Sequence, residues 1–242
     1  MAEVFEFFAA RLPTSALEWV AHLSIGLAGT ILITSVLEHV IHRNLMHVKA
    51  LPAFVYKRVP FLAWILDEHA RLHHSVYYKQ FDLEPNPEGK HQNICIGFDQ
   101  TIIMGMAMMP FILLVACVSP VASVIFCIGG LTHNRTWNLV HTQMHMPKSV
   151  FWARTPFYRF LAYHHFMHHQ SPRNHLNVVL PLADFIFGTT QKPTHGDIRE
   201  MVRLDYIVPR SQTGKRLQKT LKPRPGYTWP HDQIVQEHKL AA

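Results

Sequence analysis

The chain has 242 residues, 48% hydrophobic and 16% charged, with a formal net charge of +7. Its charged fraction lies well below the roughly 25% usual for soluble domains, which excludes a disordered or collagen-like chain, and its length suits one domain, or one domain with a tail. Three cysteines (Cys95, Cys117, Cys127) without a C-x-x-C spacing exclude a disulfide scaffold and a cysteine zinc site.

The first predicted element is a membrane anchor over about 19–37, where nineteen uncharged residues lie between Glu18 and Glu38. At about 1.5 Å per residue such a helix is roughly 28 Å long, close to the hydrocarbon thickness of a bilayer. Ser15-Ala-Leu-Glu18 has the form of a capping box at its start. Residues 51–66 are too interrupted by charge and proline to span and are expected at the membrane interface. Residues 100–134 hold no Asp, Glu, Lys or Arg. Ser119-Pro120 offers a turn near the middle of this run, because proline cannot continue a helix interior. The prediction is a helical hairpin with arms at about 101–118 and 121–132. Residues 148–163 mix aromatic and basic side chains and are again expected at the interface; within them Thr155-Pro156 suits a helix start. From about 191 the chain turns polar and proline-rich.

Of the 23 Lys and Arg residues only Arg11 precedes the first span; the other 22 lie in 43–90 and 135–239, the segments flanking the hairpin. A hairpin leaves and returns on one side, so both basic segments share a face, which the positive-inside tendency makes cytoplasmic. Nucleic-acid binding, the competing reading of the positive charge, has no recognisable motif behind it.

Histidine is in large excess: 19 residues, of which 15 lie between His39 and His175. They fall in clusters beside that same face: His39, His42 and His47 after the first span; His69, His73 and His74 before the hairpin; His133, His141 and His145 after it; then His164, His165, His168, His169 and His175. His141 and His145, His69 and His73, and His165 and His169 are four apart and share a face of an ordinary helix; His165 and His168, three apart, do likewise. The doublets His73-His74 and His168-His169 can address two metals on either side of a shared edge. His42 and His47 are five apart, about 140° around a straight helix, so the helix must end or bend there if both bind. Imidazole donors suit iron, zinc, copper or nickel. The isolated His22, His91, His195, His231 and His238 read as structural or solvated. Metal-bound imidazoles usually give their second ring nitrogen to a carboxylate or carbonyl, which makes Glu38, Asp67, Glu68 and Asp184 candidate supports.

These ordered boxes resemble the fatty acid hydroxylase superfamily, also called the sterol desaturase family, of integral-membrane non-haem diiron oxygenases. His42 and His47 resemble its first histidine box. His69, His73 and His74 resemble the second, with three residues between His69 and His73 where the family usually has two. His141 and His145 match the next pair, and His165-Phe-Met-His168-His169 matches the closing H-x-x-H-H box. His164 extends that box to a form seen in carotenoid-modifying relatives. The stretch NHLNVVLPLADFIFGT at 174–189 is similar to the family's Asn-rich turn and its D-x-x-F-G-T ending. The resemblance covers roughly residues 30–190.

The resemblance implies an all-α integral membrane protein with a transmembrane anchor helix, a membrane hairpin and a cytosolic histidine-rich helical cap. That hydroxylase-like domain would occupy 1–190, with a basic cytosolic extension over 191–242, in a bacterial inner membrane with the histidines and the C-terminus on the cytoplasmic side. The implied metal ligands are His42, His47, His69, His73, His74, His141, His145, His165, His168 and His169, with His39 and His164 as candidate additional ligands. They would hold two iron ions, or zinc acquired during purification. The implied reaction is hydroxylation of an unactivated C–H bond of a lipid-like substrate with O2. Electrons would come from a separate ferredoxin, cytochrome b5 or reductase, since no haem segment is fused to the chain. A desaturase or a carotenoid- or sterol-modifying oxidase fits the same scaffold. A non-enzymatic histidine-rich metal carrier and a lipid-binding scaffold are the alternatives from other classes.

Overall fold

Helices make up every regular element of the computed structural model, which describes residues 2–74, 95–145 and 150–221; no strand occurs among these described residues. His91, His231, His238 and the tail beyond residue 221 lie outside them. A short exposed helix α1 (Ala2–Ala9) precedes α2 (Ala16–Ile41). The expected capping box starts α2: the Glu18 amide donates to Ser15 Oγ and the Ser15 amide donates to the Glu18 carboxylate. At its far end α2 runs without a break into a π-helical turn, His42–His47. Next come α3 (Ala53–Arg58) and α4 (Pro60–Leu66), and α4 continues into a second π-helical turn, Asp67–His73.

The hairpin is formed by α5 (Phe98–Val118) and α6 (Pro120–His145). Ser119 lies between them and caps α6 by accepting the Ala122 amide at 3.0 Å. The second arm differs from the expected 121–132: it is a 26-residue helix that carries His133, His141 and His145 on the same rod as its apolar half. Uncharged residues end where an apolar span would end, but backbone hydrogen bonding continues through Asn134, Arg135 and Gln143, because a polar residue does not break a helix.

Helices α2 and α6 run side by side in the same direction. His22 Nδ1 meets Ser119 Oγ at 2.9 Å near their starts, and His133 meets Glu38 at 3.4 Å near the other end. Their contact is made of small residues. A Cβ on Gly26 would lie 3.0 Å from Ala122 Cα, and one on Gly129 only 2.2 Å from Thr30 Cγ2. The hydroxyls of Thr30 and Thr34 in this seam donate back to carbonyls of their own helix, so no polar group is stranded.

Among the described residues, two helices are long and apolar enough to cross a membrane, the continuous unit Ala16–His47 and the Gln100–Val118 part of α5. Their apolar side chains point outward: Leu17, Ile25 and Leu27 of α2, and Ile102, Met106, Leu114 and Val118 of α5, are exposed, while the histidines are inside.

A 3-10 turn (Phe151–Arg154) leads into α7 (Pro156–Gln170), which Thr155 caps with Pro156 in the first turn. Tyr158, Leu161 and Ala162 of α7 are buried, while Phe157 and Phe160 on the same helix are exposed. Three short helices follow, α8 (Leu182–Ile186), α9 (His195–Arg203) and α10 (Gln212–Thr220). The segment expected as an extension from 191 is anchored: Met201, Leu204 and Tyr206 pack with Trp137, Met144 and Leu161 in the main hydrophobic cluster. α10 buries nothing.

Candidate metal centre

All ten histidines expected as ligands converge, and they do so in two groups of five. One comprises His42, His47, His69, His74 and His168; the other comprises His73, His141, His145, His165 and His169. Within each group one ring nitrogen per residue lies within 4.8 Å of all the others. The second group is fully buried, and in the first only His47 is partly exposed.

Backbone geometry explains the sorting. In the second group the pairs His141/His145 and His165/His169 sit one α-helical turn apart. In the first group the pairs are His42/His47 and His69/His74, each five apart, and each is carried by a π-helical turn. Wider i→i+5 hydrogen bonding turns residues five apart onto one face. Thus the bend required after His42 is a π-turn. The expected pairing of His69 with His73 is replaced by His69 with His74, and His73 passes to the other group. His165 and His168, expected to share a face, also serve different groups. Each doublet bridges the two: His73 and His169 serve one group, His74 and His168 the other. The rings of His74 and His169 stack across the boundary, 4.2 Å apart and 15° from parallel. We call the two groups the π cluster and the α cluster.

The ring nitrogens are oriented as metal ligands require. His42 donates from Nδ1 to the Leu176 carbonyl, and His168 donates from Nδ1 to the Asn174 carbonyl at 2.9 Å. A carbonyl only accepts, so both rings carry their proton on Nδ1 and turn the Nε2 lone pair inward. His42 Nε2 then lies 2.7 Å from His69 Nε2, and His168 Nε2 lies 3.1 Å from both His47 Nε2 and His74 Nε2. In the α cluster His165 Nε2 lies 3.0 Å from His145 Nε2 and 3.2 Å from His169 Nε2. Each neutral imidazole has one N–H, and in His42 and His168 it is already committed outward. Converging lone pairs of this kind would hold a cation between the rings. Burial, reinforced by neighbouring rings, holds His69, His73, His165, His168 and His169 well below the usual imidazole range, so they are neutral at pH 7 as ligation demands.

The candidate additional ligands are placed elsewhere. His39 and His164 both meet the buried Asp184, at 3.2 and 2.8 Å, and point away from the clusters. His164 also meets His175 at 3.0 Å, and His175 accepts the Gln191 amide at 2.7 Å. Burial alone would raise the Asp184 carboxyl. Hydrogen bonds from His164, Thr189 and the Asn177 and Leu176 amides outweigh it and hold the group below the ordinary carboxylate range. Of the other expected supports, Glu38 binds His133, the Asn177 side chain and the Val178 amide rather than a ligand ring. Asp67 pairs with Arg71 at the surface of its own helix. Glu68 makes no hydrogen bond to the rings among the described residues.

His42 and His168 are instead supported by main-chain carbonyls of Leu176 and Asn174, which no residue type announces. The Asn-rich turn was visible as a motif; its role as a carrier of carbonyls was not. His175, inside it, has a left-handed φ of 55°, unusual for a residue other than glycine. Trp137 lies against His141 with ring centres 4.2 Å apart and closes one side of the α cluster.

Two histidine clusters that could hold metal ions, side by side, are therefore compatible with a dinuclear site. No family model, curated protein or solved structure matches the chain.

Proposed function

We propose that the protein is a membrane-bound dinuclear-metal oxygenase that hydroxylates an unactivated C–H bond of a lipid-like substrate. The observation that carries this reading is the sorting of ten buried imidazoles into two adjacent groups of five with their lone pairs convergent. The residues fit a pair of iron ions: neutral imidazole donors suit iron, and each group of five histidines would hold one ion. Bound iron would supply the reductive activation of O2, with electrons from a separate ferredoxin, cytochrome b5 or reductase.

The chain's own residues orient and enclose. Carbonyls of Asn174 and Leu176 keep the His168 and His42 lone pairs turned inward, and Trp137, Met144 and Phe166 help exclude water around the α cluster. Apolar, outward-facing side chains on α2 and α5 support immersion in a bilayer, where an alkyl chain can approach the histidines from the membrane side. The basic segments 43–90 and 135–239 favour the cytoplasmic face for the clusters and an inner-membrane setting. Against a carrier stands the arrangement of the rings, packed in one body at the helix ends rather than spaced along a span as a transport path requires. The resemblance to the hydroxylase superfamily adds to this reading and rests on the residues themselves.

The test is a comparison of lipid extracts from cells expressing the wild-type chain and His168→Ala, grown with and without O2. An oxygen-dependent gain of one oxygen atom in a lipid, lost in the variant while membrane insertion persists, is expected. Identical profiles in the two strains would overturn the oxygenase.

A further inference from the structure

The turn Asn174–Val178 presents its two sides to different chemistry. Inward, the carbonyls of Asn174 and Leu176 receive His168 and His42. Outward, three consecutive amides are held by two carboxylates: those of Leu176 and Asn177 by Asp184, at 2.9 and 2.8 Å, and that of Val178 by Glu38 at 2.7 Å. The Asn177 side chain ties the same turn to α2, through the Ser35 carbonyl at 2.8 Å and Glu38 at 3.1 Å. Asp184 is fully buried and receives five donors in all, the other three being Thr189 Oγ1, His39 and His164.

Both rings that this turn orients, His42 and His168, belong to the π cluster. Among the described residues, the bonds from this turn to ligand rings go to the π cluster. We infer that Asp184 and Glu38 are positioning residues for one metal only, the ion in the π cluster, and that they act through the main chain of residues 174–178 without touching a ligand. This inference rests on the metal-binding reading of the clusters and deepens it by assigning the support of one ion.

The physical reason is the number of acceptors. An amide in place of the Asp184 carboxylate brings an NH2 group against backbone N–H and imidazole donors, so some of the five lose their acceptor. The turn then relaxes, and the carbonyls that set the tautomers of His42 and His168 move with it. Loss of such outer support typically weakens metal affinity about 10–100-fold. Glu38→Gln acts on the neighbouring Val178 amide and should weaken the same site less.

The experiment is anaerobic reconstitution of the full chain in mild detergent with ferrous iron, followed by iron content per chain and helicity by circular dichroism. Wild type is expected to hold two irons and Asp184→Asn one. Double variants identify which is lost. Asp184→Asn with His47→Ala should still hold one, because both changes strike the π cluster; Asp184→Asn with His145→Ala should hold none. If Asp184→Asn loses its helicity, Glu38→Gln in the same pair of double variants decides. Retention of two irons by the folded single variants, or a double-variant pattern that places the loss in the α cluster or in both, overturns the inference. A wild-type chain that takes up no iron overturns the metal reading and this inference with it.

Discussion

The π cluster and the α cluster are built from the same side chain in the same number, yet by opposite backbone means. The α cluster takes two i,i+4 pairs from regular helices, His141/His145 on α6 and His165/His169 on α7, plus His73 from a π-turn. The π cluster takes two i,i+5 pairs from π-helical turns, plus His168 from a regular helix. Each cluster thus borrows its fifth ring from the kind of segment that builds the other. The lesson concerns rigidity. An i,i+4 pair is presented by backbone geometry that a helix adopts without help, whereas a π-turn has no such intrinsic preference and is held by its surroundings. Fittingly, it is the π cluster that the Asn174–Val178 turn supports.

The sharpest way to break this comparison is to remove one ring from each side. On the proposed dinuclear reading, His47→Ala and His145→Ala each cost one metal while leaving the other cluster loaded. On the proposed oxygenase reading, each also lowers oxygenation by more than the roughly 10–100-fold typical of changes outside the ligand shell. Metal content and product yield on the purified variants check this; loss of both metals from either single change would make the clusters one cooperative unit.

A second pressure falls on what the clusters share, their burial. In the metal-free protein His69, His74 and His168 on one side and His73, His165 and His169 on the other are held below the unfolded value of about 6.5. As pH falls below about 6.5 the unfolded rings take up protons that the folded rings refuse, so the unfolded state gains and stability drops. Above that pH both states are neutral and the profile should be flat. From pH 7 to pH 5 the unfolding midpoint of the metal-free chain should fall by about 5 °C or more. An unchanged midpoint would mean that the rings are accessible to protons in the folded state.

The smallest expected effect probes the seam between α2 and α6, the helices that lead into His42/His47 and His141/His145. Gly129→Ala drives a methyl group into Thr30, 2.2 Å away, and should cost about 1–3 kcal/mol by pushing α2 from α6. Gly130→Ala meets open space and should be neutral or stabilising by up to about 1 kcal/mol, since alanine favours the helix. Denaturant unfolding distinguishes them; equal effects would mean that the close α2–α6 approach at Gly129 is not needed for stability.

Much of this was legible in the sequence because it is written in side chains at helical spacing. The Ser15 capping box, the turn at Ser119-Pro120 and the Thr155-Pro156 helix start are local signals, and the structure places each where the residues put it. The i,i+4 pairs 141/145 and 165/169 are likewise readable from a 3.6-residue period. That period misassigned His69, which groups with His74 instead of His73; the end of the apolar run, a different signal, stopped the second hairpin arm at 132 although α6 runs on to His145.

What the sequence determined by itself is the inventory: clustered imidazoles at helical spacing, an apolar anchor and a long uncharged run, and carboxylates near the histidines in the chain. Tertiary structure alone decided the partition into two fives, the diversion of His39 and His164 onto Asp184, and the use of Asn174 and Leu176 carbonyls to orient rings. The reason is physical. A π-turn arises where long-range contacts outweigh the ordinary helical preference, and every residue carries the same carbonyl, so neither leaves a mark in the local pattern of side chains.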